Sequence, residues 1–393
     1  MPYVVTHKMP KGNEISLDQI LFGEIDLNQK RKTRSYPGTV TKFYQSLPEG
    51  LYNQSDIQHF IKLLKSLSYF GQTFPSNMSS LYRHYEIPKR SGGFRPIDEP
   101  KTHLYSNQVE LRSMLENDFK VGYHSSAFAY CKGRSPLLCV RRHQAAGSKW
   151  FLKLDFSNFF GSTNFHFVLQ QLSKIAPFSE VLKTREGETV LKKALSICFL
   201  NDGLPQGTPI SPMLTNLIMI PIDHEISKRL HSKGYTYTRY ADDMQISHRK
   251  KFNINDVISI IEEVLRINNA PYLINQSKTR FGSIHGRNWN LGLMLNNNNT
   301  ITIGHQKHKI IKAKLCNFIL DEINKRPWSK ESVEVLAGQV SYMQSIEFST
   351  TKHILEHLNE KYKVDVCAML RKRISENAIT YAFKDETTIE VIF

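Results

Sequence analysis

The stretch YTYTRYADDMQIS (235–247) decides the architecture of this chain. Tyr235 to Tyr240 and Met244 to Ser247 read as two strands. Ala241-Asp242-Asp243 lies between them, so the stretch is a hairpin with two carboxylates at its tip. Upstream, KWFLKL (149–154) is a short apolar run ending in Asp155. It reads as a buried strand that carries a third carboxylate to the rim of a sheet. Two adjacent aspartates at a tight turn point different ways, so at least one can face Asp155. Hard oxygen ligands suit Mg²⁺, which commonly binds one or two carboxylates plus substrate phosphates. An Asp-Asp turn by itself is common. The chemistry rests on its combination with the surrounding sequence.

Composition sets the frame. The 393 residues suggest two to three structural units, since domains commonly run ~100–200 residues. A hydrophobic fraction of 40% with 11% aromatics excludes a mainly disordered chain. There is no run of ~18 apolar residues, so no membrane span is expected, and the start shows no secretory h-region. The cysteines (Cys131, Cys139, Cys198, Cys316, Cys367) form no CxxC pair. This argues against structural zinc and disulfide scaffolds and fits a reducing cytoplasm. The 52 Lys+Arg against 36 Asp+Glu give a net charge of +16. That excess points to a polyanion partner, nucleic acid first.

Outward from the hairpin, residues 1–50 read as an arm with the basic stretch Lys30-Arg31-Lys32-Thr33-Arg34. Apolar spacing predicts a helix over 54–69, started by Ser55 and Asp56. Residues 78–100 read as strand, glycine turn (Gly92-Gly93) and strand, a hairpin bearing basic side chains. Helices are expected over 102–120, 165–175, 211–228 and 255–267. Asn296 to Asn299 suit a plain surface hairpin turn. Near 300–305 the composition shifts to helix, with Lys307, Lys309, Lys312 and Lys314 ahead of an apolar stripe and a further helix starting at Ser329. Thr387 to Phe393 read as a short strand.

Taken in order, IPKRSGGFRPI (87–97), SAFAYCKGRS (126–135), FLKLDFSNFF (151–160), GLPQGTPISPMLTNL (203–217), YADD (240–243), QSKTRFG (276–282) and LGL (291–293) resemble the motifs of the reverse transcriptases. The bacterial types are most similar. The resemblance implies an α+β right hand of fingers, palm and thumb, with an antiparallel palm sheet and a helical thumb. It divides the chain into 1–84 (extension and start of fingers), 85–304 (fingers and palm) and 305–393 (thumb and tail). Asp155, Asp242 and Asp243 match the catalytic, metal-binding carboxylates, which implies two Mg²⁺ ions, with Mn²⁺ as a substitute. Two ions about 3.5–4 Å apart activate a 3′-hydroxyl and stabilise pyrophosphate. Lys89 and Arg95 match the residues that clamp the incoming triphosphate. The Phe156 carbonyl matches a further metal ligand. Gln206 matches a residue lining the nucleotide pocket, and Lys278 a lysine near the leaving pyrophosphate. Phe160 sits where the family places an aromatic steric gate that favours deoxynucleotides, although Phe159 beside it can play either part. AGQVSYM (337–343) and the lysines after 305 resemble thumb helices that track template and primer.

The implied activity is RNA-directed DNA synthesis from dNTPs. The implied partners are a template or noncoding RNA, the DNA product and the RNA–DNA duplex, with no membrane; self-association stays open. The chain ends soon after the thumb and has no HNH-like cluster, so an endonuclease-bearing intron protein is not expected. Two retron signatures, Asn-Ala-x-x-His and Val-Thr-Gly, are replaced here by Val140-Arg141-Arg142-His143 and Asn290-Leu291-Gly292. The resemblance therefore ranks a stand-alone, defence-associated (anti-phage) enzyme first and a retron enzyme second. Template-independent or protein-primed synthesis by the same fold is a further alternative. A noncatalytic RNA-binding module is disfavoured by the intact carboxylate set.

Overall fold

The computed structural model describes residues 3–4, 52–89, 92–119, 121–286 and 290–382. The basic arm at Lys30–Arg34, Arg90 and Ser91 of the hairpin turn, and the strand expected over 387–393 lie outside the described residues. The chain divides into two compact units. Residues 1–135, 152–246 and 252–280 form one, and residues 136–151, 247–251 and 281–393 form the other.

The strands in chain order are β1 (Tyr3–Val4), β2 (Tyr82–Pro88), β3 (Phe94–Pro100), β4 (Trp150–Ser157), β5 (Ile175–Ala176), β6 (Thr236–Tyr240), β7 (Asp243–His248), β8 (Leu273–Ile274), β9 (Arg280–Ser283), β10 (Met294–Leu295) and β11 (Ile301–Thr302). The main sheet has the order β6-β7-β4-β8, with β9 also pairing β4. Phe156 faces Ile274 across the antiparallel β4–β8 pair. On the other side of β4, the Lys149 N–H donates to the His248 carbonyl at 3.0 Å and the Phe156 N–H to the Asp242 carbonyl at 3.2 Å, so β4 and β7 are antiparallel. Side chains alternate along β4. Leu152, Leu154 and Phe156 point to the buried face, and Lys153 and Asp155 point to the opposite one.

The buried face is backed by helices. The helix Ile220–His231 packs on β6 and on the helix Ile254–Ile267. The latter buries Val257, Ile261, Val264 and Leu265, a spacing that keeps one stripe inward. The single helix expected over 211–228 is two, Ser211–Ile218 and Ile220–His231. Pro221 explains the break. It lacks an N–H and is tolerated only in the first turn of a helix, where it sits here. The helix Gln54–Lys65 also starts differently from the expectation. Its cap is Asn53, whose side chain accepts from the Asp56 N–H while the Asp56 carboxylate accepts from the Asn53 N–H, both at 2.9 Å. Ser55 already lies inside the first turn. This reciprocal capping box satisfies two otherwise orphaned donors.

β2 and β3 form the basic hairpin, with Ile87 opposite Arg95. The hairpin is seated on the Gln206-Gly207 loop, because the Asp98 N–H donates to the Gln206 carbonyl at 2.7 Å. Gly207 has φ +104°, and a Cβ there would lie 2.7 Å from Ile97 Cγ2. Both backbone and space therefore require glycine.

In the second unit, the helices His305–Ile323, Lys330–Ile346, Phe348–Tyr362 and Val366–Ala382 gather around Leu315, Phe318, Leu336, Met343 and Leu358. Ser329 caps Lys330–Ile346. The β10–β11 hairpin closes through Asn296, whose side chain accepts from the N–H groups of Asn298 and Thr300 at 3.0 and 2.9 Å. Lys309 and Lys312 are exposed, while Lys314 donates to Gln339. Among the described residues no helix is long and apolar enough to cross a membrane.

Candidate active site

The period-two alternation of β4 presents Lys153 and Asp155 on one face, and the turn before β7 brings Asp242 and Asp243 alongside them. Ala241 makes this turn with φ +57°, a left-handed conformation uncommon for a residue with a Cβ. Asp155 is only 5% exposed, and its Oδ1 accepts from Lys278 Nζ at 2.7 Å. Asp243 Oδ2 lies 2.9 Å from Lys153 Nζ. Two lysine ammoniums therefore lie against the carboxylates.

The electrostatics are those of crowded negative charge. Burial, then the charge of Asp155, pushes the Asp242 carboxyl above its usual range, with Lys278 and Arg95 opposing. Burial pushes Asp243 to about 6 against the pull of Lys153, with Asp242 and Asp155 adding to the rise. Lys278 is shifted up, chiefly by its hydrogen bond to Asp155. A cluster of oxygen donors that resist ionisation side by side is chemically suited to a hard divalent cation. Among the described residues no three His, Cys, Asp or Glu side chains are gathered so as to hold an ion by themselves. The donor set still fits Mg²⁺, which keeps waters and takes phosphate oxygens beside one or two carboxylates.

The remaining residues singled out from the sequence are distributed as follows. Arg95, exposed on β3, stands close enough to Asp242 and Tyr130 to influence both electrostatically. Lys89 follows β2 at the hairpin turn, where its N–H donates to the Gly93 carbonyl at 2.9 Å, and it is exposed. Phe156 is buried, with its ring stacked on Phe159 at 5.6 Å. Phe159 is itself 2% exposed and packs against Tyr272. Phe160 is half-buried and meets Phe159 edge-on. Of the two adjacent phenylalanines, Phe159 thus belongs to the core and Phe160 is the more exposed. Gln206 is half-buried. Its loop is fixed against the Phe160 turn, since the Leu204 N–H donates to the Phe160 carbonyl at 3.1 Å. A Cβ at Gly203 would lie 2.4 Å from the Gly161 carbonyl oxygen, so this approach admits only glycine.

Sequence reasoning missed Lys153, although its position two residues before Asp155 on a strand is the signal that places both on one face. It also missed Tyr130, a half-exposed ring at φ +57° whose hydroxyl is shifted up by burial and by Asp242 and Tyr240. No sequence pattern announces that conformation.

The comparisons with known proteins bear on the family. The sequence profile of the family described as reverse transcriptase (RNA-dependent DNA polymerase) matches residues 87–336. The chain is similar to the retron Ec83 reverse transcriptase of Escherichia coli, at 26% identity over 79% of this chain and 96% of that one. It is similar to the retron Ec73 reverse transcriptase of the same organism, at 27% identity over 71% and 86%. Among solved structures, apo telomerase from Candida Tropicalis aligns with TM-score 0.41 and 14% identity over 81% of this chain and 68% of that one, too slight a likeness to assign anything from. With the motifs in order and the profile spanning the hairpin, the sheet and the YADD turn, this chain belongs to the reverse transcriptase family and is an RNA-directed DNA polymerase.

Proposed function

We propose that Asp155, Asp242 and Asp243 form the catalytic centre and hold the divalent ions this family uses, with two Mg²⁺ as the working pair and Mn²⁺ as a substitute. The observation that carries this reading is that Asp155, Asp242 and Asp243 stand near enough to act on one another's charge, with Lys278 on Asp155 at 2.7 Å and Lys153 on Asp243 at 2.9 Å. Bound there, Mg²⁺ supplies Lewis-acid activation of the primer 3′-hydroxyl and neutralises charge on the leaving pyrophosphate. The chain's own residues do the positioning. Arg95 offers a fork, and Lys89 a mobile point charge, to the triphosphate of a dNTP. Lys278, protonated and bonded to Asp155, is a proton source for the pyrophosphate. The Phe156 carbonyl adds an oxygen donor at the strand end, and Gln206 lines the nucleotide pocket from its loop. Incorporation of dNTPs on an RNA template should vanish in chelator and return with Mg²⁺. Synthesis that persists in chelator would overturn the reading.

Phe160 is the gate against ribonucleotides in this reading, because it is only half-buried while Phe159 is buried. Phe160→Ala should lower the dNTP:rNTP ratio of kcat/KM by at least about tenfold. An unchanged ratio assigns discrimination elsewhere.

The template is an associated noncoding RNA in this proposal, and the setting is anti-phage defence in a cytoplasmic enzyme. The exposed lysines of the helical second unit hold the duplex phosphates. A retron reading, with RNA-linked DNA as product, is supported by the similarity to the Ec83 and Ec73 enzymes over most of their lengths. Sequencing the nucleic acids that copurify with the protein separates the two. DNA joined to RNA identifies the retron product, and free cDNA of one RNA identifies the other.

A further inference from the structure

We infer that Arg239 and Asn216 are positioning residues, a buried bracket that ties the Tyr240–Asp243 turn to the 126–134 loop. The inference rests on the catalytic reading of Asp242.

Arg239 and Asp223 are both fully buried. Arg239 Nε donates to Asp223 Oδ1 at 2.9 Å and Nη2 to Oδ2 at 2.7 Å. The Tyr237 hydroxyl donates to Asp223 Oδ1 at 2.8 Å. The carboxylate is thereby satisfied within the helix–sheet core. The guanidinium has a donor left over, Nη1, and it reaches the site. It donates to the Ala241 carbonyl at 3.0 Å and to Asn216 Oδ1 at 3.1 Å. Asn216 in turn donates from Nδ2 to the Ala129 carbonyl at 2.7 Å. The backbone repeats the link, with the Arg239 N–H on the Ser126 carbonyl at 2.7 Å and the Phe128 N–H on the Arg239 carbonyl at 2.8 Å.

The two carbonyls so held lie at or next to two non-glycine residues with left-handed backbone. Ala241 has φ +57° and its carbonyl precedes Asp242. Tyr130 has φ +57° and follows the Ala129 carbonyl. Such conformations persist in residues with a Cβ only where the surroundings over-determine them, and they gather at functional sites. One node therefore fixes both the catalytic turn and the loop that carries a half-exposed Tyr130 beside Asp242 and Arg95. A buried ion pair is weak evidence for stability, since apolar residues of similar volume replace it well. What apolar residues cannot replace is the donor on the Ala241 carbonyl.

The test follows from that difference. The triple variant Asp223→Leu, Tyr237→Phe, Arg239→Met removes the charge pair and its hydroxyl together. It should stay folded and bind an RNA–primer duplex as the parent does. Its kcat should fall about 100-fold, the cost of a misplaced reacting group. Amide exchange should quicken at 127–131 and 240–243 and not elsewhere in the sheet, a readout independent of turnover. Asn216→Ala, which leaves the ion pair intact, covers the case of a triple variant that does not fold. It should show the same exchange pattern and a loss of kcat of about tenfold. Parent-like kcat and exchange in either folded variant, beside an inactive Asp242→Asn, overturns the bracket alone. An active Asp242→Asn overturns the catalytic reading and the bracket with it.

Discussion

Asp155→Asn should lower dNTP incorporation on an RNA template by at least about 10³-fold while the protein melts no lower than the parent. The two halves of this result have one cause. Asp155 lies at the end of β4 facing Asp242 and Asp243, and its charge helps raise the carboxyls of both. The amide keeps the shape and removes that charge, so electrostatic strain in the metal-free protein falls as function is lost. The pH dependence carries the sign. Burial pushes the Asp243 carboxyl up to about 6 in the folded chain against 3.8 for an ordinary aspartate, so between these values the folded state binds more protons than the unfolded one. By linkage this group's contribution to stability is greatest at low pH and falls as pH rises through that window. Thermal melts from pH 4 to 7 without divalent ions should show the fall. In Asp155→Asn it should be shallower. A variant that melts well below the parent at pH 7 would contradict this account.

The second large effect is on folding. Arg239→Met alone should destabilise the first unit by about 3–5 kcal/mol, because it leaves the Asp223 carboxylate buried and unpaired. The Asp223 side chain is 0% exposed, and of its hydrogen bonds to Arg239 and Tyr237 only the one from the Tyr237 hydroxyl would remain. Removing both charges avoids this penalty, so adding Asp223→Leu and Tyr237→Phe should return most of the loss. Denaturant titration of the single and triple variants checks the difference. A single variant as stable as the parent would mean that Asp223 is neutralised by some other route.

Much of the fold was legible because its elements obey simple periods. The β4 run ending in Asp155 and the paired strands around Ala241-Asp242-Asp243 follow from apolar patterning and turn chemistry. The glycine turn at Gly92-Gly93 was equally plain, and the structure gives both residues positive φ. Boundaries were less legible. The break at Met219 depends on where Pro221 falls in a helix, and the cap at Asn53 depends on a reciprocal pair that only geometry identifies. At the site, carboxylates and motif order single out Asp155, Asp242 and Asp243, while the ion pair of Lys278 with Asp155 is a contact that only the structure gives. Which of Phe159 and Phe160 belongs to the core needed burial, since two adjacent aromatics are equivalent in sequence. Tyr130 and the Arg239–Asp223 pair were invisible for a related reason. They depend on contacts between residues far apart in sequence, and an arginine inside a strand reads as a surface charge until its burial is known.

The central claim is that Asp155, Asp242 and Asp243 together drive RNA-templated DNA synthesis. Its most direct test is single-turnover addition of one dNTP to a primer on an RNA template. The parent chain would be compared with a variant carrying Asp242→Ala and Asp243→Ala, in chelator and then in excess Mg²⁺. The expected result is extension by the parent only when Mg²⁺ is present, and none by the variant, with both proteins binding the duplex equally. Extension by the folded variant at the parent's rate would contradict the claim.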